Sequence, residues 1–301
     1  MSGQALPYVL LLGTFFGSSL IASRFGVGQF QPVAFIGLRL VIAGVCYAII
    51  YSLTRRHRAW PTGLHLWKHA TLLGVFGTAV PMMGVIGSLV YLSSGVVAIL
   101  ISVGPALTIL MAHFFLPDEP LNLQKAAGVT LALIGALLIA LRGESGLGNV
   151  GQANPLGYLL ILMALVAGNA MNIYARKYMR GFDSVDVGSI RIWTAGLVVM
   201  PLVLVFVGIN FEPITSQGYL ALFYTAIAGN FFGMFLAFYN VKRFGATSAA
   251  MTDYVIPVVA ALGGVLILGE QITVGMTMGM LLIITGLALI NRFRHAVPKP
   301  I

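Results

Sequence analysis

Apolar residues in this chain come in unbroken runs rather than in the alternation of a half-buried strand. Ten runs are long enough for the roughly 20 residues a bilayer crossing needs: 6–26, 30–53, 69–91, 93–116, 123–141, 155–178, 184–207, 217–241, 246–268 and 272–291. Short polar or basic stretches separate them, and nothing else is large enough for a separate soluble domain. Membrane barrels alternate apolar and polar positions over about ten residues, which these runs do not. The pattern predicts an all-α membrane protein of ten transmembrane helices.

The second half of that pattern repeats the first. Pro105 in the fourth run answers Pro257 in the ninth, 152 residues on, and Arg39 in the second answers Arg191 in the seventh at the same distance. Gly77-Thr78 answers Gly229-Asn230, and Gly128/Gly135 answers Gly279/Gly286 at a separation of 151, as Glu119 answers Glu270. The expected organisation is a five-helix repeat at 1–141, a connector at 142–154 and a second five-helix repeat at 155–301. Five is odd, so the second copy enters the membrane from the opposite side. Inverted repeats of this kind are characteristic of secondary transporters, whose substrate site lies at the midplane between them. The fold expected is therefore two inverted five-helix repeats around a central cavity.

Composition agrees and narrows the class. The chain is 59% hydrophobic and 8% charged, against about a quarter charged in soluble domains. Its net charge of +9 would suit a nucleic-acid binder, but the basic residues report topology instead. With the N-terminus inside, thirteen lysines and arginines fall on the cytoplasmic side, against Arg24 and Arg142 outside and Arg39 and Arg191 within helices. That asymmetry places both termini in the cytoplasm. The first run is not a cleaved signal peptide, because nothing basic precedes it and no small-x-small site follows. Cys46, the single cysteine, precludes an internal disulfide.

Candidate chemistry is confined to a few polar residues inside the runs. An arginine in a bilayer must face protein or water, so Arg39 and Arg191 read either as structural or gating anchors or as substrate contacts. Each proline frees the carbonyl four residues earlier, at Ile101 and Asp253, and such a carbonyl at membrane depth calls for a partner in a cavity, unless the kink serves packing alone. Asn169 and Asn172 share a helix face and either join helices or bind substrate. Met82 follows Pro81 in the third run; its counterpart region in the eighth holds Asn230 and the stripe Phe231, Phe235, Phe238, which either packs or lines an apolar cavity. Arg191 and Asp253 fall about seven residues into helices entering from one side, roughly 10 Å deep. They suit a gate, an ammonium site or a plain ion pair. The substrate-binding set expected is Met82, Pro105, Asn169, Asn172, Asn230, Phe231, Asp253 and Pro257.

Other motifs lead nowhere strong. His65 and His69 lack a third metal ligand. His113 and Asp118 have the H-x4-D spacing of some lipid acyltransferases, but Pro117 interrupts them and Asp118 falls in a turn. No lysine is followed by serine or threonine, so there is no phosphate loop and no sign of nucleotide hydrolysis. No enzyme motif, metal or cofactor is expected. The expected partners are the lipid bilayer and a small-molecule substrate, with the chain acting as a monomer.

Pro257-Val-Val-Ala-Ala-Leu, then Leu268-Gly269-Glu270 and a G-x6-G helix, resembles the EamA-type transporters of the drug/metabolite transporter (DMT) superfamily. The arginine in the second helix of each repeat and the five-plus-five plan fit as well, over essentially the whole chain. Within that superfamily the sequence is similar to YddG-type aromatic amino acid exporters of the bacterial inner membrane. The resemblance implies a basket of ten helices with a cavity lined by helices 1, 3, 4, 6, 8 and 9, helices 5 and 10 outside it, and export of amino acids or related metabolites by alternating access. Another metabolite class, such as nucleotide sugars or quaternary ammonium compounds, is the alternative, and a lipid-modifying enzyme a weaker one. Small four-helix exporters of the superfamily use a glutamate in their first helix; this chain has no acid there, so that proton-exchange mechanism does not carry over.

Overall fold

The computed structural model describes residues 4–54, 60–115, 121–148, 152–179, 181–212 and 214–292. These form ten helices in chain order. They are α1 (Leu6–Gly26), α2 (Pro32–Leu53), α3 (Leu64–Ser88), α4 (Ser94–Phe115), α5 (Leu123–Leu141), α6 (Pro155–Tyr178), α7 (Ser184–Leu202, extended by a wide turn at Val203–Val207), α8 (Ser216–Tyr224 continuing to Ala250), α9 (Thr252–Leu268) and α10 (Val274–Arg292). No strand occurs among the described residues. Nine of these spans are long and apolar enough to cross a membrane, and α9 is a shorter apolar helix of 17 residues. The fold is the expected all-α membrane architecture.

The helices and the connector differ from the expected pattern in three places. Residues 246–250, expected in the ninth helix, continue α8, and the chain turns at Met251. Pro257 is consequently the sixth residue of α9 rather than a mid-helix residue. α4 is broken at Ser102-Val103, just ahead of Pro105. The broken geometry suits a proline, which cannot donate to the preceding turn. Finally, the connector is more than a link between the repeats, being tied down at both described ends. Ser93 N donates to Ser145 O (2.8 Å), Gln271 N to Gly146 O (2.9 Å), Ala153 N to Gly143 O (2.9 Å), and Tyr158 OH to Glu144 O (2.8 Å).

Glycines set the closest helix approaches. α5 and α10 pack against each other, and a Cβ on Gly128 would lie 2.6 Å from Gly286 O, one on Gly135 2.7 Å from Gly279 O. Contacts this close require a missing side chain and let two helix backbones meet, as small-residue pairs do in membranes. α1 approaches α9 in the same way, with Gly13 against Val255 and Gly17 against Val259 and Ile256 O. Large apolar side chains remain exposed on the outside, such as Leu266 (83%) and Phe206 (78%), which is the surface a lipid environment covers.

Glu270, which the sequence places in a turn, has a structural role. Its carboxylate is buried and accepts from Ser94 N (2.8 Å), Ser94 Oγ (2.7 Å) and Gly95 N (3.3 Å). Those donors are the open first turn of α4, where unpaired N–H groups and the helix dipole favour an anion. A second-half carboxylate thus caps a first-half helix. Its repeat counterpart, Glu119, lies outside the described residues, as does Asp118; His113 Nδ1 accepts from Leu121 N (3.2 Å).

Candidate functional site

The site begins with two helices that widen in the middle. α3 carries a π-helical turn at Val75–Ala79, and α8 carries one at Thr225–Phe232. Repeat-related segments therefore share the same irregularity. Such turns displace the backbone bonding pattern and frequently mark functional positions. Here each receives an arginine from the other half of the chain. Arg39 of α2 donates through NH2 to Asn230 Oδ1 (3.0 Å) and Thr225 O (3.4 Å), and through NH1 to Ser23 Oγ (2.9 Å). Arg191 of α7 donates through NH2 to Gly77 O (3.0 Å) and Thr78 Oγ1 (3.1 Å), and through Nε to Thr78 Oγ1 (3.3 Å).

The two arrangements obey the internal symmetry, since Asn230 is the repeat counterpart of Thr78. Each arginine ties the second helix of one repeat to the third helix of the other. Among the described residues, the acceptors of the guanidinium groups are backbone carbonyls and neutral side chains, with no carboxylate, and Arg39 Nε has none. Arg191 and Asp253 border the same cavity but form no ion pair among the described residues, so the plain ion pair, one of the three expected readings, is not seen. The π turn of α3 offers Arg191 a nearer carbonyl and hydroxyl.

Between these helices lies a cavity of about 390 Å³, lined by α1, α2, α3, α4, α7, α8 and α9. Met82, Asn230, Asp253, Arg39 and Arg191 all border it, together with Phe16, Ser19, Thr78, Val85 and Ile101. A second cavity of about 350 Å³ lies beside it between α4 and α6, bordered by Pro105, Thr108, Asn169, Asn172 and again Val85, Ile101 and Asp253. The shared residues make Val85, Ile101 and Asp253 the partition between the two spaces. Asp253 is the one carboxylate among the described residues lining either of them. α2 and α7 contribute to the lining through Arg39, Arg191 and Ile192, beyond the six helices expected.

Eight of the ten expected residues, counting the two arginines, thus border one cavity or the other. Phe231 and Pro257 border neither. Phe231, one position past Asn230, turns away to meet the Tyr47 ring edge-on at 5.3 Å. Pro257 is buried within α9, and its effect reaches the cavity through the carbonyl it frees. That carbonyl, Asp253 O, accepts from Ser102 Oγ (3.1 Å) at the break in α4. The freed acceptor thus has a protein donor.

The two amides of α6 differ. Asn169 Oδ1 accepts from Thr108 Oγ1 (2.6 Å), and its Nδ2 donates to Leu165 O (2.6 Å), so this side chain clips α6 to α4. Asn172 is exposed to the second cavity. Ser23, Ser102, Thr108 and Thr225 were missed from the sequence. Small hydroxyl residues are common fillers in membrane helices, and only the fold shows which ones meet an arginine or a freed carbonyl. The basic, aromatic entry to α3 forms a separate cluster, in which His69 bonds to the Tyr174 hydroxyl and its ring stacks on Tyr178 at 5.2 Å.

Comparison with known proteins places this architecture. The model of the EamA-like transporter family matches the chain twice, at residues 4–141 and 155–292. The chain is 25% identical over 287 residues to an uncharacterised transporter of Archaeoglobus fulgidus, covering 93% of this chain and 96% of that one. It is 25% identical over 275 residues to the uncharacterised transporter YoaV of Bacillus subtilis, covering 90% and 91%. It is also 25% identical over 304 residues to the uncharacterised inner membrane transporter YedA of Escherichia coli, covering 99% and 95%. A solved crystal structure superposes with a TM-score of 0.65 at 19% identity, over 97% of this chain and 96% of that one.

Proposed function

The chain belongs to the EamA-like transporter family, and we propose that this membrane transporter exports amino acids, aromatic and other neutral ones first, by alternating access. On this reading it is a YddG-type secondary transporter or facilitator. It sits in a bacterial inner membrane as a monomer, with both termini cytoplasmic and the connector outside. Residues 1–141 and 155–301 form the two moving halves, and the space between them takes the substrate.

The observation that carries this reading is the charge arrangement of the cavity. A neutral amino acid presents an ammonium, a carboxylate and an apolar side chain. The cavity presents one carboxylate at Asp253, guanidinium and amide groups at Arg39 and Asn230, and apolar walls at Phe16, Met82, Val85 and Ile101. Its volume, about 390 Å³, falls in the range of about 300–1,000 Å³ usual for small-ligand sites. A quaternary ammonium compound asks for a cage of aromatic faces, whereas Phe16 is the single aromatic residue among the described lining.

Movement between halves follows from how they are joined. Arg39 and Arg191 cross from one repeat to the other at the cavity, and Glu270 crosses at the connector face. These are discrete polar contacts over otherwise apolar packing, the kind that two packed bodies can exchange as they rock. Purified protein in liposomes, supplied with a panel of labelled amino acids, tests the proposal. Uptake of neutral and aromatic amino acids above empty liposomes is expected. Uptake of none, with a folded monodisperse protein, overturns it.

A further inference from the structure

The repeat-related arginines are equivalent in sequence but unequal in what their partners leave open. Thr78, opposite Arg191, presents one hydroxyl that accepts twice from the guanidinium and donates onward to Leu73 O (3.4 Å). Asn230, opposite Arg39, presents an amide with two ends. An arginine can only donate, so the bond from Arg39 fixes Oδ1 on the arginine side and points Nδ2 away from it. Among the described residues no hydrogen-bond partner exists for that Nδ2, nor for Arg39 Nε, although both atoms are buried. Arg39 is 4% exposed and Asn230 9% exposed, and both line the larger cavity.

Buried donors are nearly always paired, and an exception calls for an explanation. Two open donors at adjoining side chains, with a fixed positive charge behind them, ask for an anionic acceptor. Asp253, which lines the same cavity, asks for a cation. We infer that Asn230 Nδ2 and Arg39 form the carboxylate subsite of the transporter, with Asp253 taking the ammonium, so that the protein selects substrates by their free carboxylate. This inference rests on the amino-acid reading above and adds which end of the substrate lies where. Arg191, by contrast, donates through Nε and one terminal nitrogen to α3, and its partner Thr78 has no second donor to offer.

Wild-type protein in liposomes provides a test that does not depend on a variant folding. Unlabelled L-phenylalanine and phenethylamine, which lacks the carboxylate, are compared as competitors of labelled L-phenylalanine uptake. Phenethylamine is expected to compete at least about tenfold more weakly, since a site built around a hydrogen-bonding group rejects the analogue that lacks it. Equal competition overturns the inference while leaving amino-acid transport standing. Failure of the wild type to take up any amino acid removes both.

Asn230→Asp supplies the second arm. It keeps an acceptor for Arg39 and replaces the open N–H by an anionic oxygen. Its apparent affinity for L-phenylalanine is expected to fall at least about tenfold relative to that for phenethylamine. A loss shared equally by both ligands, or no loss, would assign Asn230 a structural role only.

Discussion

Replacing Glu270 with alanine removes an anion from the first turn of α4 and leaves three donors without it. Two are backbone N–H groups, at Ser94 and Gly95, and the third is Ser94 Oγ, at 2.8, 3.3 and 2.7 Å from the carboxylate. Ser94 is fully buried and Glu270 nearly so, so water does not readily substitute. Hydrogen bonds to charged groups contribute about 1.5–3 kcal/mol each, and an abandoned buried donor costs about 1–3 kcal/mol. The longest of the three contributes least, and the hydroxyl can fall back on Ala260 O at 3.4 Å. A loss of about 3–5 kcal/mol follows for Glu270→Ala, and about half of that for Glu270→Gln, which keeps one acceptor oxygen. At about 2 °C per kcal/mol for a large chain, the alanine variant should unfold roughly 6–10 °C lower. Scanning fluorimetry of the detergent-purified variants reads this directly. Gly264 provides an independent check, because a Cβ there would lie 2.1 Å from Glu270 Oε2; Gly264→Ala should displace the carboxylate and reproduce most of the shift. A Glu270→Ala midpoint within about 1 °C of wild type would refute the cross-repeat cap.

Gly286→Val should prevent α5 and α10 from closing, since its Cβ would meet Gly128 O at 2.5 Å; folded yield by size-exclusion fluorescence should collapse, with Gly286→Ala intermediate. Ser102→Ala removes the donor to Asp253 O and should cost about 1 kcal/mol in stability, read as a lower melting midpoint; an unchanged midpoint would refute a stabilising role for this bond. Arg191→Lys keeps the charge but not the fork that reaches both Gly77 O and Thr78 Oγ1; transport should fall several-fold, as a lysine cannot hold two acceptors in that geometry. In a Cys46→Ala background, a cysteine at Gln152 should react with an impermeant reagent added outside cells and one at Gly181, where a Cβ meets nothing within 4 Å, should not. The reverse labelling would invert the proposed orientation.

Membrane crossings were legible because a run of about twenty apolar residues has one ordinary meaning, and the duplication was legible because Arg39/Arg191 and Pro105/Pro257 are rare residues inside such runs. Helix ends were less so. The ninth helix starts at Thr252 rather than near 246, and nothing in Gly-Ala-Thr-Ser-Ala-Ala announces that these residues extend α8. Partnering was hidden altogether. Arg191 and Asp253 were placed at equal depth along two helices and do border one cavity, but depth leaves the rotation of each helix free, and Arg191 bonds Thr78 rather than pairing with Asp253. The π turns carry no residue signature, though both fall where Gly77-Thr78 and Gly229-Asn230 repeat. Glu270 could be seen as repeated with Glu119, yet only the fold shows that it serves a helix of the other half.

The claim at the centre is that substrate passes through the space between the two repeats. Val85 borders both cavities, and its replacement by cysteine changes the wall little. The direct measurement is the transport of L-phenylalanine by Val85→Cys, Cys46→Ala protein in liposomes, before and after complete modification with a bulky thiol reagent. Modification should abolish uptake, and excess L-phenylalanine should slow the modification. Full modification with uptake undiminished would contradict the account.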